Sequence, residues 1–124
     1  MTTEELMKII ADHALWLEGD DRGRQADLSH EDLTGADLRR VNLSRAILTR
    51  VNLRDADLRG ATLTGADLLR ANLFCADLRG VNLRDADLRS ADFRGVYLQG
   101  ADFTGAKLGN YSIADLANRG AIGI

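Results

Sequence analysis

Residues 56–80 read ADLRG ATLTG ADLLR ANLFC ADLRG. Each group of five opens on a small residue, continues with Asp, Asn or Thr, and places Leu third. Stepping by five in both directions, the third position runs Leu28, Leu33, Leu38, Leu43, Leu48, Leu53, Leu58, Leu63, Leu68, Leu73, Leu78, Leu83, Leu88, Phe93, Leu98, Phe103, Leu108 and Ile113. All eighteen positions are large and apolar. Two residues before each lies a second series, Ala26 to Tyr111, in which sixteen of eighteen members are Ala or Val.

Period five fits neither ordinary template. On an α-helix, five residues carry the next Leu about 140° around the axis, so no buried stripe forms. On a strand, an odd step sends successive leucines to opposite faces. The chain must therefore turn once per unit. The small residue and the Leu are two apart, so a short extended piece points both inward, and the next two residues bend. Glycine recurs at the second bend position, from Gly35 to Gly105, where a permissive backbone helps.

The units ADLRG, ADLLR, ANLFC, ADLRS and ADFTG resemble the A(D/N)Lxx signature of the pentapeptide-repeat family, over residues 26–115. The resemblance implies an all-β solenoid: a right-handed quadrilateral β-helix with four units per 20-residue coil. Eighteen units then make about four and a half coils, on the order of 22 Å tall at strand spacing. Leu38, Leu58, Leu63, Leu78, Leu83, Phe93 and Phe103 are expected in the core columns. Each buried Leu contributes about 1.5–3 kcal/mol. Leu63→Asp, which sets an unpaired charge mid-column, should be severe. The absence of Pro leaves every rung its N–H.

Three segments follow: 1–25 as capping helix and connector, 26–115 as the β-helix, and 116–124 as a tail. Thr2 with Glu5 fits a capping box. Leu6, Ile9, Ile10, His13, Ala14 and Leu17 fall at helical spacing, with Gly19 as a stop. The helix predicted over 3–17 would lid an otherwise open edge. Glu31 interrupts the small-residue series; it turns outward or pairs with Arg22 or Arg24. The apolar tail ending AIGI either caps the last coil or joins a second copy, since some family members dimerise through that end.

The 124 residues carry a net charge of −3, all of it within residues 1–25; the repeat body is −1 and Arg119 restores +1. No basic footprint for nucleic acid is present, and direct nucleic-acid binding is not expected. No long apolar run suggests a membrane span or leader, so a cytoplasmic location is expected. The single cysteine, Cys75, rules out an internal disulfide.

A 20-residue coil sorts outward side chains into columns. Asp37, Asp57, Asp77 and Tyr97 share one, beside Arg39, Arg59, Arg79 and Gln99. Ile47, Leu69, Phe74 and Tyr97 are apolar against the pattern. With Arg39, Arg59 and Arg79 they form the candidate interaction surface; the alternative is an ordinary solvated face with single exposed hydrophobes.

Converging catalytic groups are missing. His13 reads as a structural residue of the cap helix. His30 and Cys75 fall at different corners two coils apart. No Cys/His metal cluster, P-loop or dinucleotide fingerprint occurs, and no cofactor is expected. The periodic Asp residues read as structural, bonding nearby backbone. The expected function is a non-enzymatic structural or protein-interaction module with an unknown protein partner. The alternative, implied by the family, is a DNA mimic acting on DNA gyrase or another DNA-binding protein. A nearly neutral body with eleven Arg between residues 39 and 94 weakens it.

Overall fold

The computed structural model describes residues 1–111 and 113–120, with the side chain of Ile113 excepted. Helix α1 spans Thr3–Leu17. Thr2 caps it, its hydroxyl accepting from the Glu5 N–H at 3.1 Å, and Glu4 and Glu5 complement the positive end of the helix dipole. Leu6 and His13 face the solenoid and are buried. Gly19 follows in the left-handed conformation (φ 79°) that ends many helices. The chain then turns back along α1, where the Arg24 N–H donates to Asp12 O at 3.0 Å.

From Ala26 the backbone coils. Position two of each unit bridges in parallel to the residue twenty further on: Asp27 to Ile47, Asp32 to Asn52, Asp37 to Asp57, and so to Asp87 with Lys107. A step of twenty means four units per turn, hence four sides, and the turn is right-handed. The expected sheet is realised as isolated bridges among the described residues; no extended strand forms, because each side is one bridged residue between two corners.

Unit 76–80 shows why the sequence takes this form. Every N–H finds a partner. Ala76 donates to Leu73 O across the corner (2.9 Å), Asp77 to Ala56 O in the preceding coil (2.9 Å), Leu78 to Tyr97 O (2.8 Å) and Gly80 to Gln99 O (3.0 Å) in the next. The remaining N–H, of Arg79, donates to the Asp77 side chain at 3.2 Å. That local bond recurs from Asp27 to Asp102 and needs only a short side chain with an acceptor oxygen, so Asn42, Asn52, Asn72 and Asn82 serve equally. The Asp/Asn consensus is thus a backbone requirement.

Inside, the Leu and Ala/Val columns are almost wholly inaccessible. Leu38, Leu58, Leu63, Leu78, Leu83, Phe93 and Phe103 are each at most 1% exposed. Phe93 and Phe103 meet edge to face at 6.2 Å. Each corner residue from His30 to Gly105 takes positive φ, as a four-residue turn with a left-handed third position demands. Nine of these corner residues are not glycine, among them Arg50, Arg70 and Cys75.

The regular coil ends earlier than its period. Helix α2, Ile113–Ala117, takes up the eighteenth unit, so a boundary at residue 115 falls inside a helix. Tyr111 explains the departure: its side chain is too large for the Ala column and lies against Phe93 instead, ring centroids 4.8 Å apart. The Tyr111 hydroxyl accepts the Phe93 N–H at 3.1 Å. Arg119 donates to Phe93 O at 3.1 Å, and Gly120 O accepts from the Gly100 N–H at 2.9 Å. With Leu116 buried, α2 and its flanks cover part of the last edge. The AIGI segment, 121–124, lies outside the described residues.

Candidate interaction surface

The charged columns lock to one another. Arg39, Arg59 and Arg79 each grip the Asp two residues earlier through two guanidinium nitrogens, at 2.6–2.9 Å. Arg39 also lies 3.8 Å from Asp57, and Arg59 lies 3.7 Å from Asp77. One side therefore carries a continuous ladder, Asp37–Arg39–Asp57–Arg59–Asp77–Arg79. The Arg39 hydrogen bond draws Asp37 down to about 2, and Asp57 and Asp77 are lowered for the same first cause, their arginine partners. Arg89 with Asp87 and Arg94 with Asp92 repeat the pairing elsewhere. Where the second position is Asn, the arginine reaches further: Arg54 to Asp55 (3.5 Å) and Arg84 to Asp102 (3.3 Å).

The four apolar positions separate. Tyr97 tops the ladder, 56% exposed, with the Arg79 guanidinium 5.8 Å from its ring. Phe74 is half-buried between Arg54 and Arg94, which stack over its ring at 5.0 and 5.3 Å. Ile47 and Leu69 are half-buried on another side, in adjacent coils. Phe74 and Tyr97 thus lie on different sides and form no single patch. The sequence places Arg54, Phe74 and Arg94 twenty residues apart in one column, with Phe74 between the two arginines; the structure adds that both guanidinium groups stack on the ring.

Glu31 is half-buried and makes no ion pair with Arg22 or Arg24 among the described residues; Arg22 holds Asp20 instead, at 2.8 Å. Cys75 is half-buried at a corner beneath Gly95. Among the described residues, no group of His, Cys, Asp and Glu could hold a metal ion, and no helix is long and apolar enough to cross a membrane.

The profile of the family described as Pentapeptide repeats (8 copies) matches residues 24–55, 52–89 and 71–110. The chain belongs to the pentapeptide repeat family, which is generally non-catalytic. Among solved structures it is similar to a pentapeptide repeat protein from Nostoc Pcc 7120, 31% identical, covering 86% of this chain and 89% of that one with a TM-score of 0.51. It is also similar to one from the Arabidopsis thaliana thylakoid lumen, 38% identical over 70% of this chain and 71% of the other, TM-score 0.44. A third, from the cyanobacterium Cyanothece 51142, is 35% identical over 61% and 56%, TM-score 0.40. No curated protein matches the chain.

Proposed function

We propose that this chain is a non-enzymatic protein-interaction module that presents rigid columns of side chains to a protein partner. One observation carries the reading: Ile47, Leu69, Phe74 and Tyr97 interrupt otherwise polar columns on a coil whose backbone hydrogen bonds are already made internally. Such a frame holds its outward side chains in fixed register, so binding costs little ordering entropy. The DNA-mimic alternative is less favoured, because the carboxylates of the ladder are neutralised by their own arginines. A gyrase supercoiling assay should show no effect at large excess of the protein. Self-association through the C-terminal end belongs to the same reading. It would use the last coil beyond α2, where Ala106 and Leu108 are only half-buried. A monomeric mass at micromolar concentration removes it.

The test is affinity capture in the source cell with the wild-type chain and with Leu69→Ser/Phe74→Ser. Partners held by wild type should be lost from the double variant while its melting stays cooperative. Identical partner sets, or none with either protein, would sink the reading.

A further inference from the structure

Three of the four corner columns contain glycine. One holds Gly35 and Gly95 around Asp55 and Cys75; another holds Arg40 beneath Gly60, Gly80 and Gly100; a third holds Arg45, Gly65, Asp85 and Gly105. The glycines leave room for the side chain one coil earlier: Arg40 Cγ sits 3.4 Å from where a Cβ on Gly60 would lie, and Cys75 Sγ 2.9 Å from one on Gly95. The fourth column is His30, Arg50, Arg70 and Ser90, with φ of 58–62° and no glycine. Left-handed backbone is unfavourable for residues with a Cβ, and here it is imposed on four successive coils.

The charges at this corner are also stacked differently. Arg50 and Arg70 are exposed, make no ion pair among the described residues and stand in successive coils, whereas Arg40 and Arg45, which make none either, each stand as the only arginine of their corner columns. On one flank the second-position residues beside the two arginines are Asn52 and Asn72; the column's carboxylates lie one coil below and above, at Asp32 and at Asp92, which Arg94 holds. On the other, Asp87 is held by Arg89, and the Asp67 carboxylate accepts from the Leu69 N–H. His30 stands at the foot of the column. Thr49, Arg50, Leu69, Arg70, Arg89 and Ser90 together line a shallow open groove of about 500 Å³. By contrast, Arg40 lines its groove with Asp37, whose carboxylate lies in the ladder.

We propose that this corner is the docking site for an acidic protein segment bearing an apolar residue. Its carboxylates pair with Arg50 and Arg70, and its apolar side chain rests on Leu69. The two cations lie one coil apart, roughly 5 Å along the stack, so an extended acidic chain running parallel to the solenoid axis engages both. The proposal deepens the interaction-module reading and rests on it.

The experiment uses the full chain and a fluorescein-labelled peptide of Asp and Glu with one central Leu, read by anisotropy at low and moderate salt. Binding should weaken with salt, and should weaken when the Leu becomes Ser or the acids become amides. Arg70→Glu should reduce affinity about tenfold or more. Arg40→Glu, the same charge change at another corner, should leave it within about twofold. Arg70→Gly should raise the thermal midpoint while losing the peptide, since it relieves the left-handed residue and removes the cation. Equal losses for Arg70→Glu and Arg40→Glu would reduce the effect to net charge and overturn the proposal. So would tighter binding of a DNA duplex than of the peptide. If the peptide fails while Leu69→Ser/Phe74→Ser still sheds partners from the cell, the corner assignment falls and the module reading stands.

Discussion

His13 on α1 accepts a 2.9 Å hydrogen bond at Nδ1 from the Ala26 N–H, the first amide of the coil, while its Nε2 lies 2.8 Å from Ser44 O. The ring is wholly buried and stacks on Trp16 at 5.3 Å. An imidazole that accepts at Nδ1 and donates at Nε2 is neutral. Burial holds its pKa below 6.5, with the nearby Arg45 acting the same way and the bond to Ser44 O opposing both. Between the lowered folded value and the ordinary unfolded one, the unfolded chain binds more protons. Stability is therefore fully present above about pH 6.5 and declines as pH falls through that window. A second decline belongs to the Asp residues, whose pKa is lowered by hydrogen bonds from Arg, Ser or Thr partners; it begins below about pH 4. Thermal midpoints against pH should show both steps. In His13→Gln the upper step should vanish and the lower one remain; a surviving upper step would mean another group titrates.

Gly23 lies against the backbone of Trp16, so close that a Cβ would overlap the Trp16 nitrogen. Its φ is not left-handed, so the need for glycine is purely steric. Gly23→Ala must push the connector off α1 and loosen the lid that His13 fastens. The expected loss is about 1–3 kcal/mol, read from denaturant unfolding, with the Trp16 emission shifting red as its packing opens. Wild-type stability in this variant would show that the connector yields without strain.

The columns were legible because period five admits one solution: a chain that turns every unit and points two residues inward. The cap helix over 3–17 was legible from Leu6 and His13 at heptad distance and from the Thr2 cap. Its fastening was not, because His13 meets Ala26 and Ser44 across sequence gaps that no local pattern encodes. The end of the coil was misread for a related reason. Ile113 keeps the Leu period, yet Tyr111 in the small-residue column carried the opposing signal, and a side chain of that size wins. The candidate surface was least legible. Counting found Ile47, Leu69, Phe74 and Tyr97, but whether each is open, or covered as Phe74 is by Arg54 and Arg94, depends on rotamers.

Asp77 performs two jobs that substitution can separate. Its carboxylate pairs with Arg79 at 2.6 Å and also accepts the Arg79 backbone N–H. Asp77→Asn keeps the second, as Asn72 does for the Phe74 N–H at 3.0 Å. Arg79 is 49% exposed, so losing the ion pair should cost less than about 1 kcal/mol. Asp77→Ala also strands the amide and should cost about 1 kcal/mol more. Chemical denaturation of the two variants decides it. Equal losses would mean that the ion pair, not the backbone bond, explains Asp at this position.

Tyr111→Phe tests whether the last coil is closed by its own tail. The ring contact with Phe93 survives the change, and Arg119 still donates to Phe93 O, but the Phe93 N–H loses its acceptor. A stranded, partly buried amide costs about 1 kcal/mol, and the cost falls at the end of the stack, where opening is already easiest. Global stability should therefore drop little, while amide exchange at Phe93 accelerates by roughly fivefold or more, the factor that about 1 kcal/mol implies. Leu78, whose N–H is bonded to Tyr97 O inside the stack at 2.8 Å, serves as the internal reference and should not change. Equal acceleration at both amides would mean that the solenoid opens as one unit. No acceleration at Phe93 would mean that the tyrosine hydroxyl is not what closes this edge.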